Sequence, residues 1–313
     1  MTEFGLQIEP AFGFSYEDVA GIAKSLRPNG FTSMWASDYF MLDSGDPDRD
    51  CLECWTLLTA IAVEVKDIRI GSLVTSASYR NPALLAKMAA SLDQVSGGRL
   101  EFGIGAGWKD VEYEAYGYRF ASAGERVSRL EECLEIITRL WTQPVADFHG
   151  DFHHVSNAVS APKPTQRPHP PILIGGSRTR MLEIMAKYAN VVNFVPQPDP
   201  ESYAETLRRL ERACEDVDRD CARIRKSHFI TMMVGPDDAG VQRRLERVAQ
   251  RDGMSPDEWR LKRSRAFVGT TSQARDLLQR YTDLGVTQFM VVFPFHEETE
   301  SIKLFADDVI GRV

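Results

Sequence analysis

Apolar positions along this chain fall into short continuous runs separated by stretches with helical spacing, and the alternation is sharpest between Ile68 and Trp108. Ile68 to Thr75 is an apolar, β-branched run of strand length. Asn81-Pro82 supplies an N-cap and a first-turn proline, and Leu84, Leu85, Met88, Leu92 and Val95 then recur at helical spacing. Gly97-Gly98 stops that helix. Leu100 to Ile104 reads as a second buried strand, and Gly103, Gly105 and Gly107 end it where a ligand can approach the backbone. The unit is β-α-β, and its parallel strands require a larger sheet with helices on both faces.

The same alternation fills the rest of the chain. Strands are predicted at Phe4 to Ile8, Met34 to Ala36, Ile172 to Ile174, Val191 to Val195, Phe229 to Val234 and Val286 to Phe293. Helices are predicted at Ser15 to Ser25, Cys54 to Val63, Gly175 to Tyr188, Glu201 to Asp218, Ala239 to Ala249 and Ser272 to Leu284, with another after the last strand. Val127, Leu130, Leu134, Ile137 and Trp141 step by three and four, which marks an amphipathic helix. Phe148 to Phe152 is a turn flanked by aromatics and predicts an inserted hairpin, while Pro162 to Pro171 is an extended connector. Asp43 to Asp50 reads as an exposed acidic loop, and a second loop after Trp108 carries Glu112, Tyr113, Tyr116 and Tyr118. Eight strands separated almost throughout by helices favour an α/β fold of the (β/α)8 barrel type, with inserted segments, over an open doubly wound sheet. The 313 residues are expected to form a single domain, 1–313.

Composition narrows the partners. Acidic residues outnumber basic ones, 45 to 37, so the overall field disfavours nucleic acid and anionic lipid, and an anionic ligand needs a local site. No apolar run approaches the roughly 18 residues of a membrane span, and the opening MTEFGLQIEP has no secretory character, so a cytoplasmic location is expected. Five cysteines, two of them within helical patterns, suit reduced thiols. No metal site is expected: Cys51-Leu52-Glu53-Cys54 lacks a second pair, and His149, His153 and His154 alternate across strands.

In a barrel the chemistry collects at the C-terminal ends of the strands. That rule selects Glu9, Asp38 and Tyr39, Ser72 to Ser76, Gly105 to Trp108, Gly175 to Arg178, Asn193, and Phe293-Pro294. Gly175-Gly176-Ser177-Arg178 stands directly before a helix, where free backbone amides and the helix dipole favour an anion; a plain glycine-rich turn is the alternative. Gly103 to Trp108 resembles a dinucleotide fingerprint but lacks the acidic residue that should follow about 20 positions on. Tyr113, Tyr116 and Tyr118 either pack the loop or line a pocket.

Several motifs in order resemble the luciferase-like monooxygenase superfamily, and within it the oxidoreductases that use the deazaflavin coenzyme F420. They are Ser37-Asp38-Tyr39-Phe40, Gly71 to Thr75, Tyr79 to Pro82, Ser96 to Arg99, Gly103 to Trp108, Pro170 to Ile172 with Gly175-Gly176, and Val268-Gly269-Thr270. The resemblance implies a barrel that binds a flavin-like ring in its mouth. Asp38 would contact the ring, Ser72 and Leu73 would sit behind it at a bulge with a non-prolyl cis peptide, and Gly105, Ala106, Gly107, Trp108, Gly175, Gly176, Ser177 and Arg178 would hold the phosphate-bearing tail.

Many F420-dependent relatives carry histidine where this chain has Tyr39, and an acid where it has Trp108. A phenol with a pKa near 10 is a poor base at neutral pH. The expectation is therefore hydride transfer from reduced F420 to a small electron-poor molecule, with Tyr39 or Glu9 delivering the proton. The alternatives are an FMN-dependent two-component monooxygenase and a non-catalytic flavin- or deazaflavin-binding protein. A homodimer is implied by resemblance only.

Overall fold

The computed structural model describes residues 2–42 and 46–313, so the first three residues of the predicted acidic loop, 43–45, lie outside the described residues. Eight parallel strands form the barrel: β1 (Glu3–Ile8), β2 (Ser33–Ala36), β3 (Arg69–Ser72), β4 (Leu100–Gly105), β5 (Ile172–Gly175), β6 (Val191–Asn193), β7 (Arg225–Gly235) and β8 (Val286–Val292). Each pairs with the next, and β8 closes on β1 through Glu3↔Gln288 to Leu6↔Val291. Helices pack outside, and outward-facing residues such as Phe4, Leu6, Met34, Ile70, Phe102 and Ile174 join them in one large core.

Local signals explain the element ends. Asn81 accepts hydrogen bonds from the Ala83 and Leu84 amides, Pro82 opens the helix Pro82–Ser96, and Gly97 closes it with a left-handed φ of 68°. The buried stripe of that helix is Leu85, Ala86, Ala89, Ala90 and Leu92, whereas Leu84 and Val95 are exposed. Adjacent leucines lie about 100° apart on a helix, so the apolar spacing contains two stripes, and the alanine-rich one faces the core.

Four features depart from the sequence expectations. The run Ile68 to Thr75 is two short strands, β3 and Thr75–Ser76, parted at Leu73-Val74. The non-prolyl cis peptide lies at Leu73-Val74, one bond beyond the implied position. The segment after Trp108 holds a short helix, Asp110–Ala115. Beyond β7 a helix Pro256–Lys262 and a strand Phe267–Thr270 form a satellite, because β7 runs past its last barrel pair, Thr231↔Val292, and offers Met232–Gly235 for further pairing. The predicted hairpin is present as Ala146–His149 paired with His154–Ala158. Its turn is held by Glu132, whose carboxylate accepts from the Asp151, Phe152 and His153 amides.

Trp35 lies across the barrel interior with Leu173, Val191 and Met290, and Leu73 and Val74 pack against them. A Cβ at Gly5 or Gly71 would run into the Trp35 ring, so both glycines are needed for the indole to lie inside. Trp35 donates its indole N–H to Ser33 Oγ at 2.9 Å. No described helix is long and apolar enough to cross a membrane.

Candidate active site

At the C-terminal end of β1, Gln7 and Glu9 share a face because strand residues two apart point the same way. Gln7 Nε2 donates to Glu9 Oε1 at 2.5 Å, and Ser37, beyond the neighbouring β2, donates its hydroxyl to Glu9 Oε2. Both donors are neutral. Burial therefore dominates, and it pushes the Glu9 carboxyl up to about 7 against the pull of Ser37, Gln7 and the more distant Lys109 charge. A carboxyl poised there can hold or release a proton at neutral pH.

Asp38 is fully enclosed. Its two oxygens accept from Arg80 Nη1 at 2.6 Å and Nη2 at 2.9 Å, and Arg80 also reaches Glu53 at 2.5 Å. Burial raises the Asp38 carboxyl above its ordinary range, while the Arg80 bonds oppose that shift. The carboxylate thus faces Arg80, with the Thr75 hydroxyl as a further partner.

Tyr39 is half-buried beside the exposed Trp108, whose indole N–H donates to the Tyr39 hydroxyl at 3.2 Å, with the two rings edge to face. The Lys109 ammonium stands over the Tyr39 ring, 4.7 Å from its centroid, and bonds Glu112 at 2.7 Å. Glu112 is wholly buried and organises the β2 loop: it accepts from the Phe40 and Met41 amides and from the Tyr79 hydroxyl. Tyr113, the deeper of the predicted loop tyrosines, is buried and bonded to Ser76 at 2.8 Å, whereas Tyr116 is exposed. Cys51 joins the same wall through the Tyr39 carbonyl, and burial pushes its thiol up to about 11, so it packs and does not attack.

The wall across the mouth is made at β3 and β4. Ser72 donates to the Gly103 carbonyl at 2.8 Å, and Leu73 and Val74 present half-buried apolar side chains. A Cβ at Gly103 would collide with the Ser72 carbonyl oxygen, and one at Gly105 would stand 2.9 Å from Val74. Gly107 takes a φ of 78° and leaves the space filled by Tyr113 Oη. The glycine motif therefore serves the bulge and its supports. Gly105, Ala106, Gly107 and Trp108 run outward from it toward solvent.

Gly175, Gly176 and Ser177 lead into the helix Thr179–Tyr188, whose first turn has no side-chain cap. Ser177 donates to the Val195 carbonyl at 2.8 Å and ties this loop to the end of β6, leaving Arg178 exposed at the helix entrance. Asn193 is buried and bonded to Ser227, and its side-chain Oδ1 has no hydrogen-bond partner among the described residues.

Each predicted residue thus lies at the same end of the barrel. Glu9, Asp38 and Tyr39 cluster on one side, Ser72 and Leu73 form the wall, and the Gly175 loop is the far rim. Arg80, Glu53, Lys109, Glu112, Gln7 and Ser37 complete the site and were not assigned roles from sequence. Of these, Gln7 was readable from its position two residues before Glu9 on the same strand. Among the described residues no group of three His, Cys, Asp or Glu could hold a metal.

The family model for luciferase-like monooxygenases matches residues 2–288. The chain belongs to that family. An F420-dependent glucose-6-phosphate dehydrogenase from Amycolatopsis mediterranei is 30% identical over 66% of this chain and 64% of its own length. An FMNH(2)-dependent dimethylsulfone monooxygenase from Pseudomonas putida is 35% identical over 40% of this chain, a match that spans 34% of that protein. Among solved structures, an F420-dependent secondary alcohol dehydrogenase in complex with an F420-acetone adduct superposes with a TM-score of 0.83 at 20% identity, covering 98% of each chain. That likeness carries the fold.

Proposed function

We propose that this luciferase-like protein is an F420-dependent oxidoreductase that works as a reductase on a small electron-poor organic molecule such as an enone or imine. The observation that carries the reading is Glu9, a carboxyl pushed up to about 7 by burial between neutral donors. When bound, the reduced deazaflavin supplies a hydride. Glu9 supplies the proton for the other end of the reduced double bond, so hydride and proton together complete a two-electron reduction.

The residues present suit a flat ring with a phosphate-bearing tail. Leu73 and Val74 offer an apolar wall supported by glycines, and the uncapped helix beside Arg178 offers N–H groups to a phosphate. Arg80 bonds Asp38 and Glu53 at the edge of the β2 loop, and Lys109 with Glu112 holds Phe40 and Met41, so hydrogen bonds brace the described part of that loop where a ring would enter. Tyr39 is the second proton candidate. A Tyr39→Phe variant with unchanged turnover removes it from the reaction and leaves Glu9 alone. A homodimer is part of the proposal, supported by the exposed apolar Val63, Leu84 and Val95 on two contacting helices.

The dimethylsulfone monooxygenase relative favours a second reading, reduced FMN with oxygen. Fluorescence titration of the purified protein with F420 and with FMN, oxidised and reduced, separates the two. Micromolar or tighter binding of F420 alone is expected; preferential binding of reduced FMN with oxygen consumption overturns the proposal.

A further inference from the structure

The chain carries a net charge of −8, yet Arg260, Lys262, Arg263 and Arg265 place four cations in six residues with no acid among them. This segment belongs to the satellite beyond β7. Trp259 anchors it by packing with Met233, Leu245, Val248 and Ala249, and Met233 lies on the part of β7 that projects past the barrel at the site-bearing end. Arg263 is engaged, with its guanidinium on the Trp259 ring at 4.9 Å and on Asp252 at 3.1 Å. Arg260, Lys262 and Arg265 are exposed and make no ion pair with a described residue, and Lys262 lies within electrostatic reach of Glu258 at the start of the same helix.

Hydrogen bonds connect this strip to the anion loop. Ser177 holds the Val195 carbonyl at 2.8 Å, and two residues further on Gln197 donates to the Arg265 carbonyl at 2.8 Å while accepting from the Thr231 amide at 3.3 Å. Arg178, the β6 loop and Arg265 are therefore consecutive along one rim. A ligand whose phosphate sits at Gly175 to Arg178 would have this basic segment at the next position along the rim, joined to it through Val195 and Gln197.

We propose that Arg265, with Arg260 and Lys262, extends the anion site along the rim and takes an oligocarboxylate tail, the γ-linked glutamates that follow the phosphate of F420 and that FMN lacks. The inference rests on the F420 reading above and adds to it a discriminating surface on this chain. Such a strip acts through exposed charges, so its contribution is screened by salt over about 10 Å and spread over several weak contacts.

The test is equilibrium binding, read by cofactor fluorescence. The wild-type protein and an Arg260→Gln/Lys262→Gln/Arg265→Gln variant are titrated with F420 lacking glutamates, F420 with a long glutamate tail, and FMN, at low and high salt. All three positions are exposed, and circular dichroism checks that the variant folds. In the wild type at low salt, long tails should bind roughly tenfold tighter than no tail, and the advantage should vanish at high salt and in the variant. Binding of F420 that ignores tail length, or a tail advantage that survives the triple substitution, overturns this inference alone. Binding of FMN with no form of F420 overturns both it and the cofactor assignment.

Discussion

The two ends of the barrel each enclose a glutamate, and their surroundings differ in one respect. Glu101 on β4 is buried at the N-terminal end, where Arg69 Nε meets it at 2.8 Å and Arg225 Nη2 at 2.5 Å. Gln166 bonds Arg69 in turn and ties the connector before β5 to the same knot. Glu9 at the other end has an amide and a hydroxyl for partners and no cation within bonding distance. Two guanidiniums make a latch across β3, β4 and β7, whereas neutral donors leave a proton that can move. The comparison teaches that burial alone does not assign a carboxylate its task; the charge of its partners does. In a barrel of this type the proton role proposed for Glu9 falls at the face opposite the Glu101 latch.

The largest effect is expected at Glu9. Glu9→Gln keeps the shape and can still accept from Gln7 while its amide N–H donates to the Ser37 hydroxyl, but it has no proton to give, so turnover should fall about 100-fold or more. The pH profile sharpens the point. With a pKa of about 7, wild-type reduction should be level at lower pH and decline above 7 as Glu9 ionises, while the residual rate of the variant should lose that limb. A variant with wild-type rate and profile would move the proton to another group.

Glu101→Gln tests the opposite end. It leaves Arg69 and Arg225 facing each other beneath the barrel, and breaking such a buried pair should cost about 3 kcal/mol, at the low end of the usual range because both arginines are about 30% exposed. Denaturant titration reads the loss. Turnover of the folded variant should stay within about twofold of wild type, since no reacting group is touched. Unchanged stability with reduced turnover would erase the distinction between the ends.

The same contrast explains what was legible in the sequence. Periodicity, the Asn81-Pro82 start and the Gly97 stop are local signals, and the structure carries them as eight barrel strands and their helices. Strand-end positions were also legible, because the fold itself decides which residues reach the mouth. The network was not. Glu112 reads as a solvent-facing acid in a short polar segment, yet its partners Phe40, Met41 and Tyr79 lie 33 to 72 residues earlier and only folding brings them together. Arg80 likewise looks like a surface residue before a helix, until Asp38 and Glu53 close around it. The satellite strand Phe267–Thr270 escaped notice because its existence depends on β7 overrunning the barrel, a matter of relative strand length and not of its own pattern.

The smallest effect is thermodynamic and has the sign opposite to the loss of activity. Glu9 ionises near 4.5 when exposed and near 7 when folded, so the native state holds its proton through a window in which the unfolded chain has released it. Below about pH 4.5 both states are protonated and Glu9 contributes its full share of stability. As pH rises to 7 that share is lost, because keeping the folded form then means either retaining a proton the unfolded chain has given up or burying a charge. Glutamine at this position has no such dependence. Glu9→Gln should therefore match the wild type near pH 4 and exceed it by about 2 kcal/mol at pH 8, after allowance for the solvent that still reaches the carboxyl. The Asp38 and Glu298 carboxyls, also raised by burial, are common to both proteins and cancel in the difference. Paired unfolding curves at the two pH values read it directly. A constant difference between the proteins across the range would mean that the Glu9 proton is not held by the fold, and the asymmetry between the barrel's ends would then rest on geometry alone.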